Sequence, residues 1–202
     1  DFYVGRSIHE YGEWSQQELN VFRKILSKDD LVIEVGANIG SHTIALSKMV
    51  SNGIVFAFEP QRIIFQTLCA NLALNSITNC FCYESALSDS RVSSLFMPNF
   101  DYALNNNYSS LSLKDKDKNY LIQVNIELLD EKFDHLQSLK LLKIDTEGYE
   151  FEVLSGAKKN IKNINLILFE HHYHDMIKKN YKFGDVHDFL KKNNFELIFK
   201  AK

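Results

Sequence analysis

The sequence predicts an α/β fold, doubly wound around a mainly parallel sheet, and three observations carry that expectation. Short apolar runs alternate along the chain with segments of helical period. Several of the runs, among them Leu31–Val35, Ile54–Phe58, Leu139–Ile144 and Ile164–Phe169, read as buried strands. The 202 residues, 45% hydrophobic and 24% charged, suit one globular domain that can bury a core without disulfides or a structural metal. A single domain is therefore expected over residues 1–202, with 1–28 as an N-terminal extension and 93–129 as an inserted hairpin and loop.

Taken in order, residues 2–8 read as a short strand. Ser15 can cap a helix reaching about residue 27, with Glu18 three positions on as in a capping box. Leu19, Phe22, Ile25 and Leu26 fall on one face of that helix. The strand at 31–35 ends at Gly36, and a helix follows over 41–50. The strand at 54–58 leads to Pro60, which opens the next helix where a missing N–H costs nothing. Ile64, Leu68 and Leu72 recur at a spacing of four in that helix, and Asn75 closes it. Residues 81–87 are a third strand. The pattern then changes: 95–97 and 122–128 read as a hairpin, joined by a polar stretch holding Asn105 to Asn107 and the charge run from Lys114 to Lys118, a solvated surface loop. A strand at 139–144 stops at Asp145, and a helix follows from about 149 to 155. A strand at 164–169 ends at Glu170, residues 186–192 are helical, and 195–199 form a last strand.

The formal net charge of −3 argues against a nucleic-acid or anionic-membrane partner, since both favour a basic surface. No apolar run approaches the roughly 18 residues of a membrane span. The three cysteines have no framework spacing and read as reduced thiols in a cytoplasmic setting. Cys80 and Cys82 have no second Cys/His pair at finger spacing, so they are expected to be small buried hydrophobes rather than zinc ligands. Asp1 is not an initiator methionine and no signal-peptide pattern precedes the first helix, so the chain reads as a fragment.

The strongest motif is Glu34-Val35-Gly36-Ala37-Asn38-Ile39-Gly40, a buried strand running into a glycine turn and a helix. In an open parallel sheet, ligands bind beyond the carboxyl ends of the strands, where this turn sits. A dinucleotide fingerprint would carry glycine at the middle position, here Asn38. Glu34 would repel a pyrophosphate but suits a ligand bearing an ammonium, and the methionine part of S-adenosyl-L-methionine has both an ammonium and a sulfonium. Phe58-Glu59-Pro60 follows: Glu59 ends the second strand 19 residues after Gly40, where a carboxylate can accept both hydrogen bonds of a ribose diol. A helix-dipole role is the plain alternative for Glu59. Ser85-Ala86-Leu87 lies at the edge that would face adenine. Ser85 or its neighbours can bond the ring and Leu87 can pack on it, or the segment is an ordinary strand-to-turn junction.

Two further motifs carry candidate catalytic groups. Lys143-Ile144-Asp145-Thr146-Glu147-Gly148-Tyr149-Glu150 follows the fourth long strand, which neighbours the first across the switch point. Lys143 lies in an apolar run, so its ammonium needs a carboxylate, Asp145 or Glu147, beside it. Glu170-His171-His172-Tyr173-His174 ends the fifth. Glu170 or a histidine there can deprotonate an acceptor hydroxyl, or hold a divalent metal together with Asp145. Exposed loop histidines are the alternative, and the metal is admitted rather than expected.

These residues resemble the FkbM-like family of S-adenosylmethionine-dependent methyltransferases. The resemblance runs from about Tyr11 to His172 and is carried by the Gly-Ala-Asn-Ile-Gly turn, Phe58-Glu59-Pro60, Ala86-Leu87-Ser88-Asp89, Lys143-Ile144-Asp145-x-Glu147-Gly148-x-Glu150, Gly156-Ala157 and Phe169-Glu170. Tyr11-Gly12-Glu13-Trp14-Ser15 also looks like a segment of some members. The resemblance implies a Rossmann-like three-layer α/β/α fold with a seven-stranded sheet in the order 3-2-1-4-5-7-6, and O-methylation of a sugar, glycan or small-molecule hydroxyl. It places Glu34, Gly36, Asn38 and Gly40 at the methionine end, Glu59 at the ribose, and Asp145 near the methyl or acceptor. Two departures stand out. Glu34 replaces the more usual Asp, and one strand follows the last helix where the fold expects two.

The candidate cofactor set is therefore Glu34, Gly36, Ala37, Asn38, Gly40, His42, Thr43, Glu59, Pro60, Ser85, Ala86, Leu87 and Asp145, with Asp145, Glu170 and His171 as catalytic candidates. His42, in the first turn of the 41–50 helix, can reach the cofactor carboxylate, and Trp14 and Tyr11 can wall the pocket or pack in the core. The rival readings are an NAD-dependent oxidoreductase, disfavoured by Asn38 and Glu34, and a catalytically silent binding module.

Overall fold

The computed structural model describes residues 3–89, 95–98, 121–170 and 183–198. Its elements in chain order are α1 (Val4–Tyr11), α2 (Gln16–Ile25), β1 (Leu31–Val35), α3 (Ser41–Met49), β2 (Ile54–Phe58), α4 (Arg62–Leu74), β3 (Cys80–Tyr83), β4 (Ala86–Leu87), β5 (Leu95–Pro98), β6 (Leu121–Val124), β7 (Ile126–Glu127), α5 (Leu129–Lys132), β8 (Leu139–Ile144), α6 (Glu150–Ser155), β9 (Ile164–Phe169) and α7 (Phe183–Lys192). The central sheet runs β3-β2-β1-β8-β9, with every pair parallel. This is the 3-2-1-4-5 part of the expected order.

Side-chain alternation along the strands builds the three layers. Val32, Val55 and Leu141 pack with Phe22 of α2 and with Leu46 and Val50 at the end of α3 on one face. Ala57 meets Leu68 and Leu72 of α4. Ile33, Val35, Leu142 and Ile144 face the other way, onto Leu129, Val153, Leu154 and Val186 of α5, α6 and α7. Burial on both faces is why β1 and β8 read as largely apolar runs, interrupted only by Glu34, Lys140 and Lys143.

Several expectations are corrected. Residues 4–8 are helical, not a strand. α1 carries an Arg6–Glu10 ion pair at helical spacing and ends at Gly12, whose left-handed φ of 75° lets its N–H bond the Ile8 carbonyl. The expected strand 81–87 is two. β3 starts at Cys80 and pairs with β2, whereas β4 leaves the sheet to pair in parallel with β7. The hairpin forms as β5 against β6, but its second strand stops at Val124. Pro60 precedes the start of α4, whose N-cap is Gln61. Residues 195–198 make no strand: Phe195 N–H bonds back to Leu190 of α7, and Leu197 and Ile198 are exposed, with no ladder partner among the described residues. Phe199 and the polar stretch 99–120 lie outside the described residues, and among the described residues no sixth or seventh strand joins the central sheet. Cys80 and Cys82 are half-buried free thiols with Sγ atoms 3.8 Å apart.

Candidate functional site

Parallel strands bring the ends of β1, β2, β8 and β9 to one edge, and a cleft of about 280 Å³ opens there. Its wall includes Glu34 to Asn38, Glu59 to Gln61, Ser85 to Leu87, Asp145 to Glu147, and Glu170. Four of the five sequence motifs thus converge on one cavity, together with Glu170 of the fifth. His171, His172 and His174 lie outside the described residues.

The turn after β1 is shaped by close packing. A side chain at Gly36 would place its Cβ 1.8 Å from the Asp145 carbonyl oxygen, and its φ is +82°. Only glycine fits. Asn38 takes a φ of 50°, which asparagine tolerates better than most residues. Every amide of the turn is spoken for inside the protein. Gly36 and Ala37 donate to the Phe58 carbonyl, Asn38 to Glu59 Oε2, Ile39 to Asn38 Oδ1 and Gly40 to the Ala37 carbonyl. Gly40 and Thr43 sit behind the cleft surface. A Cβ at Gly40 would press to 2.7 Å from Leu68 Cδ1, and Thr43 Oγ1 donates to Glu34 Oε2 at 2.6 Å.

Glu34 and Lys143, each about 1% exposed, are neighbours in the register of β1 and β8. Lys143 Nζ lies 3.4 Å from Glu34 Oε1 and 3.3 Å from Asp145 Oδ2. Burial opposes the Lys143 charge, but Asp145, Glu34 and Glu18 outweigh it and hold the ammonium above its ordinary range. Burial pushes Glu34 up against the pull of Lys143 and Thr43. Glu59 accepts the amides of Asn38 and Gln61, yet burial dominates and its carboxyl is pushed up to about 7.

His42 is 4% exposed on the cleft wall, and burial lowers it to about 3, leaving a neutral imidazole. Its Nε2 has no hydrogen-bond partner among the described residues and lies 3.9 Å from Glu18 Oε2. Ser85 donates to Glu127 Oε1, whose other oxygen meets Lys132, so only the lone pairs of its hydroxyl are left for a ligand. Asp145 and Glu147 are held by a tight turn with positive φ at Glu147 and Gly148. The buried Glu150 braces that turn by accepting from Thr146 N, Thr146 Oγ1 and Gly148 N.

Sequence reasoning did not find Tyr3, Val4, Gln61 or Met97 on the cleft wall. No local pattern marks them. Trp14 lines the cleft, as expected, whereas Tyr11 is 75% exposed and does not. Among the described residues, no group of three or more His, Cys, Asp or Glu side chains could hold a metal ion. Among the same residues, no helix is long and apolar enough to cross a membrane.

Residues 34–197 match the family model described as Methyltransferase FkbM domain. The chain is 26% identical over 145 residues to Methyltransferase 1 of Beauveria bassiana, spanning 63% of this chain and 58% of the relative. It is 27% identical over 163 residues to Hexuronic acid methyltransferase AglP of Haloferax volcanii, spanning 77% and 62%. The chain thus spans about three fifths of the length of these relatives. Its fold is similar to that of precorrin-6y C5,15-methyltransferase from Geobacter metallireducens, with a TM-score of 0.54 at 14% identity over 93% of this chain and 75% of that one. It is also similar to a Streptococcus mutans protein crystallised in complex with SAH, with a TM-score of 0.52 at 12% identity over 88% and 80%.

Proposed function

Because the chain belongs to the FkbM methyltransferase family, we propose that it transfers the methyl group of S-adenosylmethionine to a hydroxyl oxygen of a sugar or other small molecule. The observation that carries this reading is the single cleft formed by Glu34, Asn38, Glu59 and Asp145 at the carboxyl ends of three adjacent strands.

The groups present fit such a donor. Glu59 keeps unused lone pairs on the cleft wall that suit a ribose diol. His42, a neutral imidazole on the cleft wall, stands where the methionine carboxylate would lie. Glu34, Asp145, Glu147 and Glu170 make a negative surround for a sulfonium. Ser85 offers an acceptor to the amino group of adenine.

When bound, the donor supplies a methyl carbon on a sulfonium, which is already a strong electrophile. The protein's part is to align the acceptor oxygen and keep water out. Lys143 fixes Asp145 at the junction of β1 and β8. Asp145 or Glu170, both on the wall, takes the acceptor proton as the oxygen gains the methyl, and His171 is the remaining candidate. The net charge of −3 favours a small-molecule acceptor over a nucleic acid.

An NAD-dependent oxidoreductase is disfavoured for a specific reason. The turn amides that would cradle a pyrophosphate are already bonded within the protein. Calorimetry separates the two. We expect S-adenosylmethionine and S-adenosylhomocysteine (SAH) to bind and NAD to give no heat, and NAD binding alone would reverse the proposal. Methyl-labelled donor incubated with glycan extracts distinguishes an enzyme from a silent module, since a module transfers no label.

A further inference from the structure

Ser85 lines the cleft but is held from behind it. It is 2% exposed, and its hydroxyl donates to Glu127 Oε1 at 2.7 Å. The two residues stand 42 apart in the sequence and meet because β4 pairs in parallel with β7. Ala86 N–H donates to the Asn125 carbonyl and Ser88 N–H to the Glu127 carbonyl, so backbone bonds on either side hold the register. Glu127 does not itself line the cleft.

Glu127 is gripped on its other side as well. Its Oε2 lies 2.7 Å from Lys132 Nζ, and that ammonium sits 3.7 Å from the centre of the Tyr83 ring. The two carboxylate oxygens thus have separate partners. An ammonium only donates, so whatever atom faces Lys132 must be an acceptor. The Ser85 proton points out of the cleft toward Oε1, and its oxygen presents lone pairs to a ligand. A lone pair accepts from the exocyclic amino group of a 6-aminopurine. Against a 6-oxopurine, two acceptors would face each other.

We propose that Glu127 is a positioning residue that selects the purine of the donor: it orients the Ser85 hydroxyl as an acceptor, and so favours a 6-amino over a 6-oxo base. This rests on the reading that the cleft binds an adenosyl donor with its base against Ser85. It carries a consequence for one isosteric change. In Glu127→Gln the side chain keeps its shape but has one oxygen and one NH2 group. Lys132 takes the oxygen, so the NH2 group faces Ser85 and donates to it. The Ser85 proton then turns toward the cleft, and the polarity of the site is reversed.

The test is calorimetry on the whole chain with three ligands: SAH, S-inosylhomocysteine, and the SAH analogue bearing hydrogen at purine C6. The unsubstituted chain should bind SAH about tenfold more tightly than the C6–H analogue, and S-inosylhomocysteine more weakly still. Ser85→Ala should lose the preference for SAH over the C6–H analogue. Glu127→Gln should weaken SAH and strengthen S-inosylhomocysteine by about tenfold each, a change of about a hundredfold in their ratio. Glu127→Ala, which also releases the Ser85 proton, is the second probe and should lower the same ratio. Circular dichroism establishes that the variants are folded, and a merely structural loss would weaken all three ligands together and leave the ratios alone. With SAH bound, the proposal is overturned if Ser85→Ala keeps the full preference over the C6–H analogue, or if the ratio of SAH to S-inosylhomocysteine affinity is the same in the Glu127 variants as in the unsubstituted chain. Failure of SAH itself to bind overturns the donor reading beneath it.

Discussion

Lys143 and Glu59 show how single residues set the chemistry of the cleft. Replacing Lys143 with Met leaves Glu34 buried without its counter-charge and should destabilise the protein by about 3–5 kcal/mol in urea unfolding. Adding Glu34→Gln should restore much of that loss. Burial pushes Glu59 up to about 7, and in the proposed role its ionised form is the one that accepts from a ribose diol. SAH affinity should therefore rise from about pH 6 to about pH 8, while Glu59→Gln should bind about tenfold more weakly with a flat profile. Calorimetry at the two pH values checks both. Glu34, Asn38, Glu59 and Asp145 were legible in the sequence because each ends a strand or lies in the turn after it. Tyr3 and Val4 were not, because α1 reaches the cleft only through tertiary packing. The internal bonding of the amides of Gly36, Ala37 and Asn38 was also invisible, since it depends on Phe58 and Glu59 at the end of the neighbouring strand.

The turn between β8 and α6 works as one element. Glu147 and Gly148 take positive φ, and Glu150 holds them with three accepted hydrogen bonds from beneath. Glu150→Ala should cost about 1–3 kcal/mol in thermal unfolding and lower kcat more than it raises donor Kd, because it loosens Asp145 and Glu147 without removing a donor contact. Equal effects on kcat and donor affinity would contradict this. The four long parallel strands were legible as continuous apolar runs. The first element was not: residues 4–8 hold few helix formers, and the Arg6–Glu10 pair with the Gly12 stop decided for a helix. At 195–198 the apolar pattern misled: Phe195 N–H bonds back to Leu190 of α7, and Leu197 and Ile198 are exposed.

Two buried groups of the cleft pull the stability of the whole molecule in opposite directions with pH. Glu59 is raised from 4.5 to about 7, so its contribution is full below its unfolded value and is lost as pH rises through 7. His42 is lowered from 6.5 to about 3, so its contribution is full above 6.5 and is lost as pH falls through 3. Between about pH 4.5 and 6.5 these two contributions oppose each other, so removing either one should tilt the melting temperature of the ligand-free protein in the other's direction. Relative to the unsubstituted protein, Glu59→Gln should gain melting temperature as pH rises across this window, and His42→Phe should lose it. Melting curves across that range check both signs. The cleft itself is best tested by a crystal structure of the chain soaked with SAH. The ribose diol is expected within hydrogen-bond distance of Glu59 and the sulfur facing Asp145. A nucleoside bound elsewhere, or one whose ribose does not meet Glu59, would contradict it.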